Sequence, residues 1–292
     1  KMKADKRVVA VVAAVPTSIG FTEDKRKEAG KQFVDVGIAE EHAVAMVSGI
    51  AKNGGKPVFS THSSFFQRTY DQISQDLCIN RNPATLIVNT ASVYGMNDVT
   101  HLGIYDIPMM SNIPNLVYLA PTNCEEYFAM LDWSIEQNKY PVAVRIPCNG
   151  VIHSEEPADT DYSNLNKYKI TKQGEKIAVI ALGDFYQIGE KLCEFIELKT
   201  GISPTLINPR YITGIDTEML EDIKKNHSKV ITLEDGVLDG GFGEKISRFY
   251  GPSDIKVYNY GLKKEFIDRY SAEDILKENH LTPEQIYNDI IF

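Results

Sequence analysis

The strongest constraint is the alternation of short apolar runs with amphipathic stretches along nearly the whole chain. Val8–Val15 is an eight-residue apolar run. It is followed by a stretch with apolar residues at Ala43, Met46, Val47 and Ile50, a helical spacing. Asn53-Gly54-Gly55 then stops that helix. The pattern predicts strands at 57–60, 84–89, 116–120 and 142–146, with helices at 39–52, 65–79 and 125–137. Thr122 and Glu125 are placed as a capping box for the last of these. After a polar, acidic stretch beginning at His153 the rhythm resumes. Strands are predicted at 177–182, 205–208, 229–233 and 255–260, and helices at 186–199, 217–225 and 243–249. Thr282-Pro283-Glu284-Gln285 opens a final helix with a capping box and proline at its first position. Strands separated by helices build parallel sheets. The expectation is therefore an α/β protein of two domains, residues 1–152 and 173–292, each a mostly parallel sheet flanked by helices, joined by a linker at 153–172. The seven residues before Val8 read as the end of a helix running into a buried strand.

Composition narrows the function. The 292 residues carry 31 basic and 40 acidic side chains, a net charge of −9. No Lys/Arg-rich block supplies the basic face that a non-specific nucleic-acid binder needs. The longest apolar run is too short for a bilayer, and no secretory leader is read at the start. The four cysteines, Cys78, Cys124, Cys148 and Cys193, lie far apart with no CxxC pair, which disfavours a zinc knuckle or a disulfide scaffold. These features lead to the expectation of a cytoplasmic protein acting on small molecules, without nucleic-acid or membrane partners.

Three stretches could carry chemistry. In Asp35-Val36-Gly37-Ile38-Ala39-Glu40-Glu41-His42 a strand-like piece runs into a helix that opens with two carboxylates. The helix dipole alone favours acids there, but one carboxylate could instead project into a cleft at the strand ends. In Thr61-His62-Ser63-Ser64-Phe65-Phe66-Gln67-Arg68-Thr69-Tyr70-Asp71-Gln72, only one of two adjacent rings can join a core, so the other should face a cleft and could stack on a planar ligand. Arg68 and Asp71 have the spacing of a surface ion pair. The third stretch, Val93 to Gly103, is a glycine-containing polar loop with His101, which could move protons near neutral pH. Gly240-Gly241-Phe242-Gly243 could be a phosphate loop, but close helix–strand packing explains it better.

Taken together, the stretches at 33–44, 64–72, 100–106, 113–116 and 141–145 resemble the pyrimidine-binding domain of the transketolase family of thiamin-diphosphate enzymes. The 1-deoxy-D-xylulose-5-phosphate synthases are the most similar branch. Residues Glu234-Asp235 and 240–243 extend the likeness to the family's C-terminal domain. The resemblance implies transfer of a two-carbon unit, most simply pyruvate decarboxylation followed by carboligation to an aldehyde. It implies that Glu40 shares a proton with the cofactor's aminopyrimidine, that Ile38 and Phe65 contact that ring, and that His62, Arg68 and His101 line the substrate side. It implies a homodimer, for which the small residues of helix Ala43–Ala51 offer close contact. The family binds diphosphate and Mg²⁺ through a GDG…N motif. This sequence has no GDG; Leu182-Gly183-Asp184 comes nearest, in the wrong domain. A diphosphate-binding domain or subunit outside this chain is therefore expected to supply the metal site. Thr90 and Cys148 stand where the synthases carry arginines for the acceptor's phosphate, His62 stands where they carry tyrosine, and Asn97 replaces an aspartate. The same resemblance leaves open a transketolase C-terminal subunit, the β subunit of a 2-oxo acid dehydrogenase, or a non-catalytic interface subunit that keeps the fold.

Overall fold

The structure, a computed structural model, describes residues 1–291. The first half comprises β1 (Val8–Val12), α1 (Glu23–Ala29), β2 (Phe33–Asp35), α2 (Glu40–Lys52), β3 (Lys56–His62), α3 (Tyr70–Gln72), β4 (Thr85–Ala91), α4 (Asp106–Met110), β5 (Val117–Leu119), α5 (Cys124–Glu136) and β6 (Val142–Pro147). Its six strands form one sheet in the order β2-β1-β3-β4-β6-β5, with every pairing parallel. The apolar runs become the inner strands because both faces of a parallel sheet are covered. Val11, Phe59, Leu86 and Ala143 are accordingly buried.

The second half comprises β7 (Lys169–Lys172), β8 (Lys176–Ala181), α6 (Tyr186–Thr200), β9 (Thr205–Asn208), α7 (Thr217–Ile223), β10 (His227–Val237), α8 (Phe242–Tyr250), β11 (Lys256–Leu262), α9 (Ala272–Glu278) and α10 (Pro283–Ile291). The sheet order is β11-β10-β8-β9-β7, parallel except for β7. The expected α/β class with two mostly parallel sheets is thus observed.

Several local expectations change. Residues 1–7 form turns rather than a helix end. The stretch expected as one helix from residue 65 is a 3₁₀ segment (Ser63–Thr69), the single α turn of α3 and a π segment (Ile73–Cys78). Within the stretch read as linker, β7 is an antiparallel edge strand on β9. The cap of α5 sits one residue later than expected. Asn123 is its N-cap, accepting from the Glu126 N–H at 2.8 Å, and Glu126 rather than Glu125 reaches back to the Thr122 N–H at 2.8 Å. The Thr282–Gln285 box is formed, with the Gln285 N–H donating to Thr282 Oγ1 at 3.3 Å.

The two halves share a core. One apolar cluster holds Phe59, Leu86 and Tyr118 of the first sheet's domain together with Ile180, Ile207 and Phe242 of the second. Backbone bonds cross as well: the Ala120 N–H donates to the Arg210 carbonyl at 2.8 Å and the Ile212 N–H to the Tyr118 carbonyl at 2.7 Å. Of the small residues in α2, Ala43, Ser48 and Ala51 pack inward, and Ser48 Oγ donates to the Asp76 carbonyl at 2.8 Å. Only Ala45 and Gly49 remain on the open face. Among the described residues no helix is long and apolar enough to cross a membrane.

Candidate functional site

In a parallel sheet, ligands gather at the carboxyl ends of the strands, where neighbouring crossovers part. In the first sheet that edge carries the end of β2 with Ile38 and Glu40, the end of β3 with His62 and Phe65, and the end of β4 with Thr90. The local turns explain how each side chain gets there. Asp35 Oδ1 accepts from the N–H groups of Gly37 at 3.0 Å and Ala14 at 2.9 Å, and Gly37 takes a positive φ of 72°. That turn leaves Ile38 76% exposed and starts α2 directly at Glu40. Glu40 is only 2% exposed, while Glu41 beside it faces solvent. Adjacent helical residues diverge in direction, so one of the two carboxylates turns inward.

Glu40 Oε2 accepts from Arg68 Nη1 at 3.0 Å. Arg68 therefore pairs across the site, and the expected pairing with Asp71 is not formed. A buried carboxylate needs such a partner, since desolvation without compensation costs several kcal/mol. Phe66 is fully buried against Phe59, with ring centroids 5.5 Å apart. Phe65 is half-buried, and two histidines flank it edge-on, His62 at 5.4 Å and His101 at 5.3 Å. One of the two adjacent rings, Phe66, thus joins the core, and Phe65 stays outside it.

His62 is buried, with Nδ1 2.9 Å from Thr90 Oγ1 and Nε2 3.3 Å from Ser18 Oγ. Burial, reinforced by neighbouring His101, lowers its pKa and favours the neutral ring. Thr90 has φ +54°, uncommon for a β-branched residue and costing about 1–3 kcal/mol. The hydroxyl that meets His62 also donates to its own neighbour's carbonyl, Asn89 O, at 2.7 Å. His101 Nδ1 lies 2.7 Å from Thr100 Oγ1 and 3.7 Å from Asp98 Oδ1. The loop carrying it closes where the Ser92 N–H donates to the Gly103 carbonyl at 2.8 Å. A Cβ on Gly103 would lie 2.8 Å from the Ala91 Cα, so only glycine permits this closure.

The contacts form two groups at this sheet edge, Glu40 with Arg68, and Phe65 between His62 and His101. Sequence reasoning missed the support beneath them. Arg145, at the end of β6, donates to Asp106 Oδ2 at 2.7 Å, to Asp235 Oδ2 at 2.6 Å and to the Gly103 carbonyl at 3.3 Å, all buried. Tyr118 donates to the same Asp106 carboxylate. The signal available was an arginine ending an otherwise apolar strand, which demands a buried counter-charge.

The glycine motif is structural. Glu234 occupies the start of α8, accepting from the Phe242 N–H at 2.7 Å and the Gly243 N–H at 2.8 Å. The protein's own carboxylate fills the place an anion would take. Among the described residues, the one grouping with metal-ligand spacing is Cys124, Glu125 and His153. A thiolate and an imidazole suit Mg²⁺ poorly, because that ion takes oxygen ligands in octahedral geometry.

These two sheets, and the cluster at the carboxyl edge of the first, define a transketolase-type protein. Residues 1–150 match the model of the transketolase pyrimidine-binding domain and residues 166–286 that of the transketolase C-terminal domain. The chain belongs to the transketolase family. It is 36% identical over 287 residues to the 1-deoxy-D-xylulose-5-phosphate synthase of Clostridium acetobutylicum, covering 98% of this chain and 46% of that protein. It is likewise 36% identical to the synthase of Clostridium perfringens, covering 99% of this chain and 46% of the relative. The chain therefore spans about half the length of these relatives. Among solved structures, a split-gene transketolase described as an inactive β4 tetramer superposes with a TM-score of 0.83 at 20% identity, covering 99% of this chain and 92% of that one. A transketolase mutant from Pichia stipitis superposes with a TM-score of 0.78 at 16% identity, covering 99% and 43%.

Proposed function

We propose that this chain supplies the pyrimidine-activating half of a thiamin-diphosphate-dependent transferase of two-carbon units, of the 1-deoxy-D-xylulose-5-phosphate synthase type. The observation that carries the reading is a buried Glu40 carboxylate at a helix start, paired with Arg68 from the same 3₁₀ segment that carries the half-buried Phe65 ring, which two histidines flank. The relatives at 36% identity support the synthase type. When bound, the cofactor supplies the carbanion chemistry that no side chain provides.

The residues present fit the aminopyrimidine end of that group. Glu40 holds a proton against a ring nitrogen, Arg68 balances its charge, and Phe65 and Ile38 offer apolar contact to the ring. His62 and His101, on either side of Phe65, face the substrate carbonyl, and His101 moves protons there. The residues do not fit the diphosphate and its Mg²⁺, so that end is held by a domain or subunit outside this chain. The catalytic unit is a homodimer of such assemblies in the cytoplasm.

A second reading has a specific support. The split-gene transketolase matches over 92% of its own chain, which fits a natural subunit running a transketolase-type reaction. Acceptor preference in the assembled enzyme separates the two.

The test of the primary reading uses the enzyme assembled with its diphosphate-binding half. Exchange of the cofactor's C2 proton is followed by NMR. Glu40→Gln is expected to slow exchange by about 10²–10⁴-fold, the scale of a lost acid–base group. Glu41→Gln, on the exposed side, should leave it near wild type. Loss of exchange in Glu41→Gln with retention in Glu40→Gln would overturn the assignment.

A further inference from the structure

The segment between β11 and α9 has no helix or strand of its own, yet it is tied to the His101 loop along its length. The Arg269 N–H donates to the Asn97 carbonyl at 2.6 Å, and Asn97 Nδ2 donates to the Tyr270 carbonyl at 3.2 Å. The Val99 N–H donates to Asp268 Oδ1 at 3.2 Å. Tyr105 Oη donates to the Glu265 carbonyl at 2.5 Å, and Tyr270 Oη to the Val93 carbonyl at 3.0 Å. Phe266, 82% exposed, lies edge-on to Tyr105 with centroids 6.0 Å apart.

These anchors bracket His101 on both sides. Within the loop, bonds among Asp98, Thr100 and His101 and the Ser92–Gly103 closure shape the turn locally, and holding it as a whole against its conformational entropy needs anchors from outside. Four hydrogen bonds join one six-residue segment of the other domain to the loop that carries the histidine, and a fifth holds Tyr105 just after it. Segment, loop and the Phe65 helix also share one cavity of about 80 Å³, walled by Phe266, Thr100, Ser63 and Ser64. The Ser63 and Ser64 hydroxyls are buried there without a partner among the described residues.

We propose that Glu265–Tyr270 is a strap by which the second domain positions His101, with Asp268 as its principal positioning side chain. The bearing of this strap on catalysis rests on the function proposed above; the positioning itself does not. Asp268 is the most informative site to perturb, because it is exposed and acts through one side-chain oxygen on one loop N–H.

The experiment uses the chain labelled for NMR, comparing wild type, Asp268→Ala and Asp268→Asn. Amide exchange is read at Val99 and His101, and the His101 ring is titrated, with Asp98 and His62 as the titratable groups facing it. Asp268→Ala should speed both amides at least tenfold and move the His101 titration, with the thermal midpoint unchanged. Asp268→Asn keeps an acceptor oxygen and should restore wild-type behaviour. Unchanged His101 signals in Asp268→Ala would overturn the strap, as would losses that track a lowered thermal midpoint in both variants. In the assembled enzyme, Asp268→Ala should lower kcat without changing KM for the cofactor. Full turnover beside altered His101 signals would refute the catalytic role of His101 and leave the strap standing.

Discussion

Asp184 lies where the two domains meet, and replacing it with asparagine should stabilise the protein in a pH-dependent way. The carboxyl is buried, takes a hydrogen bond from Ser92 Oγ at 3.2 Å, and has the Asp235 carboxylate nearby. Burial, reinforced by Asp235, lifts its pKa from 3.8 to about 7, against the opposing effects of Ser92 and Arg145. Between about pH 4 and pH 7 the folded chain therefore holds a proton that the unfolded chain has released. The stabilising contribution is complete below pH 4 and is lost as pH rises through 7. At about 1.4 kcal/mol per unit, the ionised side chain costs roughly 4 kcal/mol above pH 7. Asparagine matches the protonated acid in shape and cannot ionise. Its amide can also donate, which matters because Asp235 Oδ1 is buried without a donor among the described residues. Urea unfolding of both proteins from pH 5 to 9 measures the effect. The difference should already be about 1.5 kcal/mol in favour of Asp184→Asn at pH 5, because the unfolded chain ionises from pH 4 upward, and should rise to roughly 4 kcal/mol by pH 9. A variant less stable than wild type at pH 9, or a difference that does not change with pH, would show that Arg145 keeps Asp184 ionised and refute the argument.

Three further outcomes are expected. Titration calorimetry of this chain alone with millimolar thiamin diphosphate and Mg²⁺ should show no tight binding; tight, metal-dependent binding would force a new search for the diphosphate site. Gly241→Ala would place a Cβ 2.7 Å from Glu234 Oε1 and from the Val237 carbonyl, displacing the carboxylate that caps α8, and should cost about 2–4 kcal/mol in chemical denaturation. Light scattering at micromolar concentration should give twice the 32.7 kDa chain mass, and a monomer would count against the proposed homodimer.

The fold was legible wherever a strand lies inside its sheet. Val8–Val12 and residues 177–181 are covered on both sides, so they had to be apolar, and a run of valine, isoleucine and alanine has few other uses. What escaped was edge, short or polar structure. β7 reads Lys-Ile-Thr-Lys because an exposed antiparallel edge strand needs no apolar run. α1, α4 and α9 are too short for a periodicity to register. The shifted cap on α5 has a similar origin: both Glu125 and Glu126 suit a first turn, and the choice of Glu126 depends on Asn208, whose Nδ2 donates to both its carboxylate oxygens at 3.1 Å from β9.

How the expected residues pair was not legible in the sequence. Local spacing offered Asp71 to Arg68, yet the winning partner is Glu40, because a carboxylate already buried by the turn after β2 gains more from a cation than an exposed one does. The same logic explains the unforeseen triad of Asp106, Arg145 and Asp235, in which Arg145 bonds partners 39 and 90 positions away that meet it only when the sheets pack. It also bears on Thr90 and Cys148. Thr90 meets neutral His62 through its hydroxyl, and Cys148 is exposed. Arg68 is then the one permanent cation among the six site residues, and Glu40 already engages it. Under the proposed function, an anionic group on the acceptor would have to find its counter-charge on the partner half.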